Sequence, residues 1–204
     1  VIVQKKNNFI KQVFYILFFP LSILGQNIVC FEIEENPEPS IEALALFPKY
    51  VNVLDCIHIY AEQSIPDQKV LHAASIAAEL LDNNEDGIID DENVKNALID
   101  FYTIMPLFSY EGSNAEEILF DNFDDLIENN NFCAGAVLYN NEIDPSSPGF
   151  WGNDASVEEV LHTINTCSHV EIYPDIFGLQ PNSSEMSDAM DIARGGQFLT
   201  VPSN

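Results

Sequence analysis

The chain has 204 residues, of which 33 are Asp or Glu and 7 are Lys or Arg, so its formal net charge at pH 7 is −26. A charge of this sign repels phosphates and anionic membrane surfaces, and it excludes nucleic acid from the expected partners. Apolar residues make up 47% of the chain and aromatic residues 11%, which excludes disorder and favours one domain with its own core.

The N-terminal segment carries the features of a secretory signal peptide. Basic residues at positions 5–11 precede an apolar run at 13–24, and small or polar residues follow at 25–27. The run is shorter than the roughly 20 residues that a membrane span needs, so an uncleaved anchor is the less favoured alternative. The sequence therefore predicts a signal peptide at residues 1–26 and a secreted domain at residues 27–204, without a stable membrane span after cleavage.

The predicted domain contains four cysteines, at Cys30, Cys56, Cys133 and Cys167. An even number of cysteines in an exported chain is compatible with two disulfides, for which three pairings exist. The sequence leaves the choice among these pairings open.

The first predicted elements lie on either side of an acidic stretch. β-Branched and aromatic residues at 51–62 predict one buried strand. Apolar residues recur at helical spacing from Val70 to Leu81, which predicts a helix that begins at Pro66. A shorter helix is predicted through Val94 and Phe101.

Further helices and strands follow towards the C-terminus. Residues 103–108 predict a strand, and Pro106 favours an edge position for it because proline cannot donate to a ladder. Helical signals follow at 114–130 and a strand at 132–139. Ser156 and Glu159 have the spacing of a capping box, and another helix starts at Asn182 and stops at Gly195. The predicted fold class is α+β, mainly helical with a few strands.

The acidic stretch at residues 82–93 has the spacing of a calcium loop. Oxygen-bearing side chains occupy positions 1, 3, 5 and 9 of this loop, and they belong to Asp82, Asn84, Asp86 and Asp90. Gly87 at position 6 permits a sharp turn, and Ile88 at position 7 would contribute its backbone carbonyl. Calcium takes six to eight oxygen ligands, which such a loop can supply.

This stretch resembles the EF-hand calcium loop, and a helix is predicted on each side of it, so the resemblance implies one EF-hand-like helix–loop–helix. The EF-hand places a bidentate Glu at position 12, where this chain has Asn93, so that Asn93, Glu92 or water would take the place of this calcium ligand. The expected site is therefore weak, with a dissociation constant on the order of 10⁻⁵ to 10⁻³ M, and it is structural rather than regulatory. The alternative is an acidic surface turn that binds nothing.

A second candidate metal site lies at residues 158–169. Glu159, His162 and His169 share one face of an uninterrupted helix and are possible zinc ligands, and zinc with an open position could activate water for hydrolysis. The sequence contains no HExxH motif, and a helix-face histidine that pairs with a neighbouring Glu is the simpler interpretation.

Three blocks, at residues 72–94, 155–164 and 187–196, are together similar to a set of exported proteins with no established activity. The resemblance implies that the chain continues beyond residue 204. The favoured hypothesis is a secreted protein with one structural calcium ion. The alternatives are a zinc-dependent hydrolase and an extracellular interaction protein whose acidic surface binds basic partners.

Overall fold

The computed structural model describes residues 31–146, 154–180 and 183–195. Five strands form one mixed sheet in the spatial order β1 (Glu34–Glu35), β2 (Lys49–Val53), β3 (Ile57–Ala61), β4 (Thr103–Phe108) and β5 (Leu138–Tyr139). Strands β1 to β3 are antiparallel neighbours, whereas β4 is parallel to β3 and β5 is parallel to β4. A mixed sheet with helices is an α+β arrangement. The predicted signal peptide, Cys30 and the predicted helix start at Asn182 lie outside the described residues.

Two helices precede β4 along the chain, two more precede β5, and the remaining helices follow β5. Their bounds are α1 (Asp67–Leu81), α2 (Glu92–Asp100), α3 (Asn114–Asp121), α4 (Phe123–Asn130), α5 (Ser156–Ile164), α6 (Val170–Ile172), α7 (Pro174–Phe177) and α8 (Glu185–Gly195). A π-helical segment, Asn165–His169, joins α5 to α6, and the three together form a helical rod over residues 156–172. The predicted helices on either side of the acidic stretch are confirmed as α1 and α2.

The prediction of one strand over residues 51–62 was wrong, because the chain folds back on itself at Leu54 and Asp55. Both residues have positive φ, +50° and +58°, and the Cys56 amide donates to the Val53 carbonyl at 3.0 Å. Two consecutive residues with positive φ give the backbone twist that suits a β-hairpin. The sequence signal was weak because a leucine rarely adopts positive φ.

The predicted edge position of β4 was also wrong, since β4 is paired on both sides. The Leu107 carbonyl accepts a hydrogen bond from the Glu62 amide, towards β3, and the Ile104 amide donates to the Cys133 carbonyl, towards β5. The backbone groups of successive strand residues point to opposite sides of the strand. The backbone nitrogen of Pro106 is therefore directed towards β5, as that of Ile104 is. The β5 ladder begins only at Leu107, and the missing proline N–H therefore removes no ladder hydrogen bond.

Alternating strand residues place one hydrophobic core on each face of the sheet. On one face, α1 and α5 pack on strand residues that include Val51, Ile59 and Met105. On the other face, Tyr60 and Phe108 pack with side chains of α3 and α4 and with Phe47, whose ring centroid lies 5.5 Å from that of Phe108. Ile89 of the acidic stretch is buried in the first core, which ties this stretch to the sheet layer.

The predicted EF-hand-like helix–loop–helix was wrong as a description of the fold. Helices α1 and α2 flank the acidic stretch, but α1 packs mainly on α5, and α2 packs mainly on the π-helical segment and α6. Helix α2 has nine residues and begins only after Asp91, whose carboxylate caps it by accepting hydrogen bonds from the amides of Asn93 and Val94. The two helices are thus parts of a larger helical layer instead of an EF-hand pair.

The predicted capping box at Ser156 was wrong, because Ser156 is the first residue of α5 and its hydroxyl hydrogen-bonds to Asp154. The Asp154 carboxylate accepts hydrogen bonds from the Ser156 amide at 3.2 Å and the Ser156 hydroxyl at 2.7 Å, and it lies 2.8 Å from His72 Nε2. Its side chain is only 3% exposed. Burial raises the pKa of Asp154, but the hydrogen bonds from His72 and Ser156 outweigh this and hold the pKa below its ordinary value.

We expect Asp154→Ala to lower the free energy of unfolding by about 2 kcal/mol, since it leaves buried donors unpaired. A depressed folded-state pKa means that the stabilisation is present above the unfolded pKa, about 3.9, and is lost as the pH falls through the folded value. Urea unfolding at several pH values should therefore show a constant deficit near neutrality that shrinks below about pH 4. Asp175→Ala, at an exposed carboxylate, is the control for the loss of one charge. A deficit that persists undiminished in acid would contradict this account.

One disulfide joins the sheet side to the helical rod. Cys133 and Cys167 are bonded across 34 positions of sequence, and Cys167 lies in the π-helical segment. Cys56 forms no disulfide with any described residue, and burial raises the pKa of its thiol to about 12. Over the ranges that the structure covers, no helix combines the length and apolar character that a membrane span requires.

Candidate functional site

The acidic stretch between α1 and α2 forms a tight loop, which we call the acidic loop (residues 82–91). Glu85 and Gly87 have φ values of +58° and +84°. The loop closes on itself through a hydrogen bond of 2.9 Å from the Asp90 amide to the Leu81 carbonyl. Gly87 thus adopts the left-handed conformation expected of the glycine at position 6 of a calcium loop.

Asp82 is the organising residue of the acidic loop. It is 4% exposed, and its two carboxylate oxygens accept hydrogen bonds from the amides of Asp86 (3.2 Å) and Gly87 (2.7 Å). The carboxylate therefore points into the loop and is surrounded by backbone N–H groups. A buried carboxylate of this kind still has free lone pairs, because each oxygen can accept more than one hydrogen bond.

The other predicted ligands lie in the same loop but hold partners of their own. The Asn84 side-chain oxygen accepts from the Asp86 amide at 3.0 Å, and Asp86 accepts from the Ile88 amide at 2.9 Å. The Asp90 carboxylate accepts from the side-chain amides of Asn83 and Asn84, at 3.0 and 3.2 Å. These are local contacts of exposed side chains, which a change of rotamer can exchange for contacts to a cation.

The charge around the acidic loop is uncompensated. The ion pairs of the described ranges join Lys49 to Asp67, His72 to Asp154 and His162 to Glu158, and none of them involves a carboxylate of the loop. Among the described residues, no group of three or more His, Cys, Asp and Glu side chains is positioned to hold a metal ion. The loop carboxylates are therefore close in sequence and backbone path, but their side chains do not converge.

Asn93, the predicted residue at position 12, bonds to Asp91 and to the residue that follows the helical rod. Its side-chain amide lies 3.4 Å from the Tyr173 hydroxyl, and its backbone amide donates to Asp91. The Tyr173 hydroxyl in turn donates to Asp91 at 2.7 Å. This hydrogen bond, with those from the Val94 and Asn93 amides, holds the pKa of Asp91 below its ordinary value. The end of the acidic loop is thus attached to the end of the helical rod.

The three residues predicted to bind zinc are not gathered into one site. His162 is exposed, and its Nε2 lies 3.8 Å from Glu158, one helical turn earlier. His169 is half-buried with its ring stacked on Phe177 at 4.7 Å, and burial lowers its pKa. Glu159 is also partly buried, which raises its pKa.

The reason lies in the π-helical segment, whose bonds run from residue i to i+5. A straight α-helix would place His162 and His169 on one face, but the wider turns at Asn165–His169 alter the rotation between them. No local pattern in the sequence predicts this segment. The Asp91–Tyr173 hydrogen bond was missed as well, because it joins residues 82 positions apart that no local pattern connects.

Comparison of the chain with models of known families, with curated proteins and with solved structures finds no match. The resemblances to the EF-hand loop and to a set of exported proteins therefore stay predictions that rest on the residues themselves.

Proposed function

We propose that the acidic loop binds one calcium ion, with a structural role. The ligands in this proposal are the side chains of Asp82, Asn84, Asp86 and Asp90 and the backbone carbonyl of Ile88, and water completes the coordination. The observation that carries it is a tight loop whose oxygen-bearing side chains recur at alternate positions and whose carboxylates have no cationic partner within the described ranges. Calcium prefers such an all-oxygen set.

Charge also supports the proposal. The chain carries 33 acidic and 7 basic residues, so the loop carboxylates repel one another in a field that few positive side chains offset. A divalent cation in the loop would remove this local repulsion. It would also fix the path between α1 and α2, each of which packs on the helical rod.

The geometry further supports a weak site. Asn84 and Asp90 must exchange their mutual hydrogen bond for contacts to the ion. The side chain of Asn93 is engaged with the Tyr173 hydroxyl. The cost of this rearrangement and the absence of a bidentate Glu both reduce affinity, in keeping with a dissociation constant on the order of 10⁻⁴ to 10⁻³ M.

Thermal unfolding with and without calcium tests the proposal. Calcium binds only the folded loop, so 10 mM calcium should stabilise the protein by about 1.4–2.7 kcal/mol, which corresponds to a rise in Tm of roughly 3–10 °C. Asp86→Ala should abolish the rise. Asp86 is exposed, so the variant itself should fold.

Glu85→Ala is the matched control, because it removes one exposed charge from the same loop at a position without a ligand role. It should keep the calcium response of the wild type. Magnesium at equal ionic strength measures the general screening effect, which all three proteins share. The proposal fails if calcium raises the Tm of Asp86→Ala as much as that of the wild type, or if it raises neither.

A further inference from the structure

A cleft of about 190 Å³ lies between the end of α1, the acidic loop, the start of α2 and the helical rod. Its walls are largely apolar, with Ile89 and Ile164 buried and Leu161 45% exposed at the opening. Its polar lining residues are few and include Asp90, Asp91 and His169. An apolar cleft with a small number of placed polar groups is the usual form of a small-molecule site.

The volume and the charge of the cleft limit which ligands can bind in it. Sites for drug-sized ligands have volumes of roughly 300–1,000 Å³, so this cleft accepts only a molecule of a few non-hydrogen atoms. Two aspartates are among its lining residues, in a chain of net charge −26, which disfavours anions and favours a cationic group. The apolar walls favour an alkyl chain attached to that group.

The hydrogen-bonding groups favour a primary amine. The His169 side chain has no hydrogen-bond partner among the described residues, although its ring is half-buried and stacked on Phe177. An alkylammonium group has three N–H donors, which match two carboxylates and one imidazole nitrogen. A quaternary ammonium has no N–H and could donate to none of these acceptors.

We propose that this cleft binds a small primary alkylammonium ion, with its alkyl chain between Leu161 and Ile89 and its nitrogen at Asp90, Asp91 and His169. Asp90 is common to this site and to the proposed calcium site, but amine binding does not require calcium. Each methylene group that enters the cleft should tighten binding about 4-fold until the cleft is full.

Calorimetric titration at pH 7 without calcium tests the proposal, with n-pentylamine as the probe. We expect a dissociation constant on the order of 1 mM for this six-atom ligand. Propylamine should bind about 16-fold more weakly, since it lacks two methylene groups. Pentan-1-ol and pentanoate have the same chain without the cation, and both should bind at least about 10-fold more weakly than pentylamine.

Leu161→Trp fills the cleft from an exposed position and should abolish pentylamine binding, whereas Leu179→Trp, at a residue 66% exposed outside the cleft, should not. His169→Phe should weaken binding while it keeps the ring that stacks on Phe177. The proposal is wrong if the wild type and Leu161→Trp bind pentylamine equally, or if the wild type binds pentylamine and pentan-1-ol equally. It is also wrong if the wild type binds no pentylamine at a concentration 20-fold above the expected dissociation constant.

The two proposals fail separately. Asp86 does not line the cleft, so Asp86→Ala should lose the calcium response and keep pentylamine binding. Leu161→Trp should show the opposite pattern, because the loop oxygens are unchanged. If both variants lose both responses, the amine site is not independent of calcium and this inference is wrong.

Discussion

The double variant Cys133→Ser, Cys167→Ser is expected to lose about 3–4 kcal/mol of unfolding free energy. The disulfide closes a segment of 34 residues, and the loss of this constraint raises the entropy of the unfolded chain by roughly that amount. The bond also attaches the π-helical segment to the chain beside β4, where Cys133 forms a bridge with Thr103. The loss should appear in urea unfolding as a lower midpoint.

Reduction provides the chemical control for this experiment. A reductant should bring the wild type to the stability of the double variant and leave the variant unchanged. Cys56 should remain unalkylated in the folded protein, because it is buried and its pKa is raised to about 12. A double variant as stable as the oxidised wild type would show that this bond does not constrain the unfolded chain.

Gly135→Ala should be about as damaging, with a loss of about 3 kcal/mol or more. A Cβ atom at position 135 would lie 2.6 Å from the His162 carbonyl oxygen and 2.6 Å from the Thr163 Cα atom. Both are backbone atoms of α5, so no side chain can turn aside and the chain before β5 must move away from the helix. Overpacking that displaces backbone typically costs 1–3 kcal/mol and sometimes more.

Gly195→Ala adds the same methyl group at the end of α8, where nothing lies within 4 Å of the new atom. Its stability should stay within about 0.5 kcal/mol of the wild type. Circular dichroism during thermal unfolding measures both variants under the same conditions. The contact between Gly135 and α5 would lose its significance if the two variants unfolded at the same temperature.

Local patterns in the sequence predicted the local structure around the candidate site. Helix α1 follows from apolar spacing between Val70 and Leu81, and the turn at Gly87 follows from the need for positive φ. The backbone of the acidic loop could therefore be predicted. The directions of its side chains could not, because Asn84 and Asp90 choose among several hydrogen-bond partners of similar strength.

The errors arose where tertiary contacts outweigh local preference. Pro106 disfavours a central strand, but the short β5 leaves its position without a ladder partner. Leu54 is a poor turn residue, yet the pairing of β2 with β3 places it there. The rotation of side chains along the helical rod depends on a π-helical segment that shows no sequence signature. The prediction that His162 and His169 share one helix face assumed an uninterrupted α-helix and therefore failed.

The two edge strands of the sheet, β1 and β5, affect whether the folded protein aggregates at high concentration. Strands β1 and β5 are each two residues long, and both residues of β1 are glutamates. Either edge strand offers few free backbone groups for hydrogen bonds to a second molecule, and the two glutamates of β1 also repel another acidic chain. Growth of fibrils by addition of strands to the native sheet is thereby disfavoured. Concentrated solutions of the folded protein should therefore not form fibrils.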